Sequence, residues 1–154
     1  MRRSCNLKIK NINFDELDGA LELIWKTFLE YEAPEYSQEG IEEFKKSIYD
    51  KEWLHAREFY GAYEDDNLLG LIATKDKSHI ALFFVDGRCH RRGIGRKLFE
   101  KALEENDKDY FTVNSSPYAK EVYEHLGFEC VEDMQCVNGI RFYPMTMKVK
   151  RLTK

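Results

Sequence analysis

Apolar residues recur along this chain in two rhythms, and the changes from one rhythm to the other divide it into elements. Leu7, Ile9 and the residues between them alternate with polar positions, the period-two pattern of a first strand. From position 15 to 31, Leu17, Leu21, Ile24 and Phe28 recur at three- and four-residue steps, which predicts an amphipathic helix ended by Ala33-Pro34. Ser37 is placed to cap a second helix carrying Ile41, Phe44 and Ile48 to about Asp50. Strands follow at 58–63, 68–75 and 79–85, with polar turns at Glu64-Asp65-Asp66-Asn67 and Asp76-Lys77-Ser78. Ile94, Leu98 and Ala102 mark a helix, 110–114 a strand, and 118–126 a short helix that Gly127 stops. Two last strands, 128–137 and 140–149, flank Asn138-Gly139, the strongest short hairpin signal. The order βααβββαβαββ predicts one α/β domain over 1–154, built on a single mixed sheet.

Composition narrows the function classes. With 154 residues, 43% of them hydrophobic, the chain is long enough for a substantial core. Its 24 basic and 28 acidic residues give a net charge of −4, which argues against a general nucleic-acid partner. Met1-Arg2-Arg3-Ser4 precedes no apolar run, and no stretch approaches the ~20 apolar residues of a membrane helix. Cys5, Cys89, Cys130 and Cys136 show neither CxxC pairing nor zinc spacing, so no metal is expected, and reduced thiols in a cytoplasmic protein are the simplest reading.

The chemistry concentrates where strand 79–85 gives way to the next helix. Asp86-Gly87 breaks the strand, and Arg88 to Lys97 then carry four arginines, a lysine and two glycines, Gly93 and Gly95. A strand, a glycine loop, a helix N-terminus and clustered base together make an anion site, most naturally for phosphate. The P-loop string GxxxxGK followed by Ser or Thr is absent. A dinucleotide GxGxxG fingerprint fails as well, because Leu98 stands at the third glycine and no acid follows about 20 residues later.

His90 to Gly95 resembles the Arg/Gln-x-x-Gly-x-Gly pyrophosphate loop of the GNAT superfamily of N-acetyltransferases, with His90 standing where the family usually has Gln or Arg. Tyr123-Glu124-His125-Leu126-Gly127-Phe128 resembles the family's Tyr-x-x-x-Gly-Phe segment, so the likeness covers about residues 58–149. The resemblance implies a mostly antiparallel sheet with splayed central strands, about four helices, and acetyl-CoA as cosubstrate. By the same resemblance, pantetheine would pair with backbone at Phe83 and Val85, and the pyrophosphate would sit on backbone amides of the loop that His90 opens, from Arg91 through Arg92, Gly93, Ile94 and Gly95 to Arg96. Asn114 would line the cofactor's other wall, and Tyr123 would act on the sulfur of the departing thiolate. A phenol is a weaker acid than a thiol by ~1.5 pKa units, so a hydrogen bond to developing charge is easier than full proton transfer.

The proton acceptor is less legible. An alkylammonium near pKa ~10.4 has to lose a proton before attack, yet strand 79–85 holds no Asp or Glu. Glu32, Glu35 and His79 are the candidates. The hinge at 30–36 is acidic and aromatic, and Glu32 and Glu35 there are expected to attract a cationic acceptor of polyamine or lysine type, whether small molecule or peptide. A non-catalytic CoA-binding module and, less naturally, a nucleotide-binding domain are the alternatives. Either a monomer or a homodimer fits this reading.

Overall fold

The computed structural model describes residues 7–89 and 92–149. In chain order these form β1 (Leu7–Asn11), α1 (Leu17–Tyr31), α2 (Gln38–Ile48), α3 (Lys51–His55), β2 (Glu58–Glu64), β3 (Asn67–Lys75) and β4 (His79–Val85). Then come α4 (Ile94–Glu105), β5 (Tyr110–Ser115), α5 (Lys120–Leu126), β6 (Glu129–Cys130), β7 (Gln135–Val137) and β8 (Ile140–Lys148). The Ser37 hydroxyl caps α2 as expected, accepting from the Gly40 amide at 3.1 Å. The fifth α-helix, α3, is the one the hydrophobic pattern did not announce. Asp50 starts it by accepting from the amides of Glu52 and Trp53 at 2.9 and 3.2 Å.

The strands pair in the order β1-β2-β3-β4-β5-β8-β6, with β7 also on β8. Every pairing is antiparallel except β4 with β5. That parallel contact is short, confined to His79 opposite Thr112 and Ile80 opposite Val113. Its end coincides with a bulge in β4. Leu82 faces Ala73 and Ile80 faces Thr74, so Ala81 is the extra residue. A bulge bends the strand that carries it, and β4 turns away from β5 from this point on.

The same bulge redistributes the strand's side chains. Period-two geometry would put Ile80, Leu82 and Phe84 on one face. Instead Ile80 packs into the core cluster under α4, whereas Leu82 and Phe84 join the cluster under α1. Phe83 and Val85 then lean against the α4 side. The expected strand at 128–137 is in fact two. Residues 131–134 occupy the space opposite only Tyr143 and Pro144, and all four are exposed. Pro144 offers no N–H to continue a ladder there, although its carbonyl still accepts from the Val131 amide at 2.9 Å. Beyond the break, Asn138 and Gly139 both take positive φ, 53° and 82°, as a two-residue hairpin turn requires. This hairpin tip lies so close to α2 that a Cβ on Gly40 would collide with the Gly139 carbonyl.

Candidate active site

The exit of β4 is held by one carboxylate. Asp86 is 4% exposed, and its side chain accepts from the Arg88 amide at 3.0 Å and from Arg88 Nε and Nη2 at 3.2 and 3.0 Å. Lys26 Nζ of α1 adds an ion pair at 3.5 Å. These Arg88 hydrogen bonds, aided by the Lys26 charge, hold the Asp86 carboxyl well below the ordinary range despite its burial. The Asp86 carbonyl accepts from the Cys89 amide at 2.8 Å, closing a short 3-10 turn over Gly87–Cys89. His90 and Arg91 lie outside the described residues. Gly93 takes φ 78° at the start of α4, a left-handed conformation that suits glycine. A Cβ on Gly95 would meet Phe83 and Val85 at 3.7 and 3.8 Å, so this glycine faces the diverging edge of β4.

Of the loop arginines whose backbone amides are expected to meet the phosphate, Arg92 and Arg96 have exposed side chains. Arg92 donates to Glu64 at 2.8 Å and to the Cys89 sulfur at 3.8 Å. Asn114 is also exposed, on β5 one residue past its last pairing with β4.

Where β4 and β5 part, a cavity of about 490 Å³ opens. Its wall brings together Phe83 and Val85 of β4, Gly93, Ile94 and Gly95 of the loop and α4, Tyr123 of α5, and Glu32 of the hinge. Ala81 to Phe84 have no register partner on β5, so the strand there offers backbone groups toward the gap. Glu35 does not join Glu32. It is exposed, and its backbone carbonyl accepts from Arg141 Nη1 at 3.1 Å. His79 is also elsewhere, at the closed end of the gap, with Nδ1 2.8 Å from the Thr112 hydroxyl. Burial, and then the charges of Arg57 and Lys75, lower its pKa.

Glu32 follows the last residue of α1, and a 3-10 turn over Ala33–Glu35, with Pro34 inside it, fixes the chain beyond. The Glu32 carboxyl is pushed up to about 7 by burial, partly offset by a hydrogen bond from Ser116. Part of its surface opens on the cavity, which is why it counts as half-buried while protein crowds the carboxyl itself. Tyr123 is buried, at 5% exposure. Burial first, and the Glu32 charge second, raise its pKa far above that of a free phenol. The Tyr36 and Tyr118 hydroxyls are raised in the same way, with Glu32 among the causes. One carboxylate therefore acts on three tyrosines brought in by separate elements.

Tyr31 of the acidic, aromatic hinge lines the cavity too, and so do Thr27, Cys89, Tyr118 and Val122, to which sequence reasoning assigned no part. Thr27, Tyr31 and the hinge share one helical face at four-residue spacing, which was the available signal. Tyr31 lies across the β4 exit, where a Cβ on Gly87 would collide with its hydroxyl. Among the described residues there is no group of His, Cys, Asp or Glu that could hold a metal, and no helix is long and apolar enough to cross a membrane.

A diverging strand pair, a glycine loop at a helix start, and an acid and a phenol in one cavity wall suit acyl transfer from a thioester. The comparisons with known proteins agree. Residues 32–149 match the model of the acetyltransferase (GNAT) domain. A GCN5-related N-acetyltransferase structure from Rhodopseudomonas palustris aligns with 97% of this chain and all of its own, at TM-score 0.76 and 18% identity. The PaiA N-acetyltransferase of Thermoplasma acidophilum, solved with coenzyme A, aligns at 0.73 and 20% identity over 93% of this chain and 99% of its own. An aminoglycoside 6'-N-acetyltransferase complexed with coenzyme A aligns at 0.66 and 15% identity over 96% and 99%. No curated protein matches the sequence significantly. The family model spans most of the described chain and includes both the loop and Tyr123, so this protein belongs to the GNAT acetyltransferases.

Proposed function

We propose that the protein transfers an acetyl group from acetyl-CoA directly to a primary amine, with Glu32 as proton acceptor and Tyr123 as hydrogen-bond donor to the leaving thiolate. The observation that carries this reading is the shared cavity. Glu32, Tyr123, the unpaired stretch of β4 and the Gly93–Gly95 loop all border it.

Glu32 suits its part because a base works best with a pKa near the working pH, and burial has brought this carboxyl to about 7. It takes the proton that the ammonium gives up, and the neutral nitrogen attacks the thioester carbonyl. Tyr123 keeps its own proton at any physiological pH, because burial and the Glu32 charge hold its pKa high. It is therefore always available to donate to the sulfur as the C–S bond breaks. As the tetrahedral adduct collapses, the nitrogen's second proton passes to the departing sulfur, so amide and free thiol leave neutral, Tyr123 keeps its proton, and Glu32 returns its own to solvent. The cofactor end supplies backbone amides at the start of α4, where phosphate is favoured.

Titration calorimetry with acetyl-CoA, CoA, ATP and NAD tests this assignment, together with thiol release in the presence of amines. Binding of both CoA species and amine-dependent thiol release are the expected results. Binding of ATP or NAD in preference to CoA would overturn the reading, and CoA binding with no amine-dependent release would leave only a binding module.

A further inference from the structure

Beside Glu32 the cavity wall is built mostly from rings, and this goes beyond the choice of an amine. Tyr31, at the end of α1, and Tyr118, just before α5, meet across the mouth with centroids 5.4 Å apart and planes 31° apart. Tyr118 remains 44% exposed and Val122 50% exposed, although both line the cavity. Gly87 leaves the space in which the Tyr31 hydroxyl rests, so the ring is seated against the β4 exit. Among the described residues, Glu32 is the sole acid in the wall. Glu35 is exposed outside it, and Glu30, whose charge also reaches Tyr118, is exposed and outside it too.

Resting on the acyl-transfer reading above, we propose that the acceptor is a monoamine with an apolar, ring-bearing body. Its single ammonium meets Glu32 and its body lies against the Tyr31–Tyr118 pair. A polyamine would bring further ammonium groups to a wall with one carboxylate and apolar rings, where a second charge finds no second acid. An arylalkylamine divides as the site divides: one charge at one acid, and a flat apolar group at two tyrosine faces.

Initial rates of thiol release at saturating acetyl-CoA, with phenethylamine, hexylamine, spermidine and a lysine peptide, test the assignment. Phenethylamine is expected to exceed spermidine and the peptide at least tenfold in kcat/KM. Tyr118→Ala, at a half-exposed position, should raise the KM for phenethylamine about tenfold, and Tyr118→Phe should restore it. The KM for acetyl-CoA should stay within twofold in both variants. Preference for spermidine or the peptide overturns the proposal. So does a Tyr118→Ala effect on acetyl-CoA instead of the amine, which would place the pair on the cofactor wall. If calorimetry shows acetyl-CoA binding but no amine in the panel is used, this proposal fails and the cofactor assignment stands. Absence of acetyl-CoA binding refutes the acyl-transfer reading itself.

Discussion

Two carboxylates end the elements that frame the cleft, Glu32 in its wall and Asp86 outside it, and the two are held in opposite states. Asp86, at the exit of β4, sits between Arg88 and Lys26 and is kept ionised far below the ordinary range. Glu32, at the exit of α1, has tyrosines and a serine around it and is pushed up to about 7. Burial pushes both upward, as the leading cause at Glu32 and against stronger hydrogen bonds at Asp86, so its direction alone does not distinguish them. Cationic partners do: a carboxylate that holds two cations is a fastener, and one left among neutral hydroxyls stays free to exchange a proton. The loop side is therefore read as scaffold for the cofactor, and the hinge side as the place where protons move.

Removing the free carboxylate is the strongest way to break this contrast. Glu32→Gln should lower kcat by roughly 10²–10⁴-fold, the usual span for a positioned general base, with acetyl-CoA affinity little changed. Wild-type kcat/KM should rise as pH passes about 7, where Glu32 becomes ionised, and the variant should lose that limb. Stability should move the other way. With a folded pKa of about 7 against an ordinary 4.5, the folded state binds this proton more tightly than the unfolded one. Glu32 then costs stability as pH rises from 4.5 to 7, up to about 3 kcal/mol. Thermal melts of Glu32→Gln against wild type at pH 5 and pH 8 check the sign. A variant no more stable than wild type at pH 8 would mean that the carboxyl is better hydrated than its surroundings imply.

Tyr123→Phe comes next. Its hydroxyl serves only the departing sulfur in this scheme, so kcat should fall roughly 10–10³-fold while cofactor affinity holds. Single-turnover rates with a thiol-reactive dye measure it. Unchanged turnover would return Tyr123 to the core cluster, where its ring packs on Phe128 at 5.4 Å.

Much of the scaffold side was legible in the chain, and most of the hinge side was not. The Asp86-Gly87 break and the glycines at 93 and 95 are local events, set by turn chemistry within about ten residues. The splay of β4 from β5 was available only through the family resemblance, since nothing in HIALFFV marks Ala81 as a bulge. Glu32 illustrates a harder limit. Its sequence neighbours are Tyr31 and Ala33, but its protonation depends on burial and on Ser116, and its charge acts in turn on Tyr123, both more than eighty positions away. Charge counting grouped it with Glu35, and one turn of 3-10 helix separates their fates. The break between β6 and β7 was hidden for a similar reason, because the proline that interrupts the ladder belongs to β8.

Unfastening the scaffold should have a smaller effect than unseating the base. Asp86→Asn keeps an oxygen for the Arg88 amide but loses its hold on the guanidinium and on Lys26. Both released cations are largely exposed and turn to water, so no buried charge is stranded. The acetyl-CoA Kd should rise about three- to tenfold, matching one net hydrogen bond, with kcat at saturation nearly intact. A large kcat loss instead would assign Asp86 a role at the reacting atoms and dissolve the contrast with Glu32.

The smallest expected effect lies on the same loop and has the opposite sign. Arg92 is exposed and already engaged, donating to Glu64 of β2 at 2.8 Å. A phosphate oxygen arriving at α4 competes with that carboxylate for the same guanidinium. Glu64→Gln removes the competitor's charge without shortening the side chain. Exposed ion pairs are weak, so the gain is bounded, and the acetyl-CoA Kd should fall about two- to fivefold at low salt. The benefit should fade in high salt as screening weakens the pair and the phosphate contact alike. Calorimetric titrations at two ionic strengths decide it. If Glu64→Gln weakens binding, the Arg92–Glu64 pair is a brace that presents the loop, as Asp86 does, rather than a competitor for it.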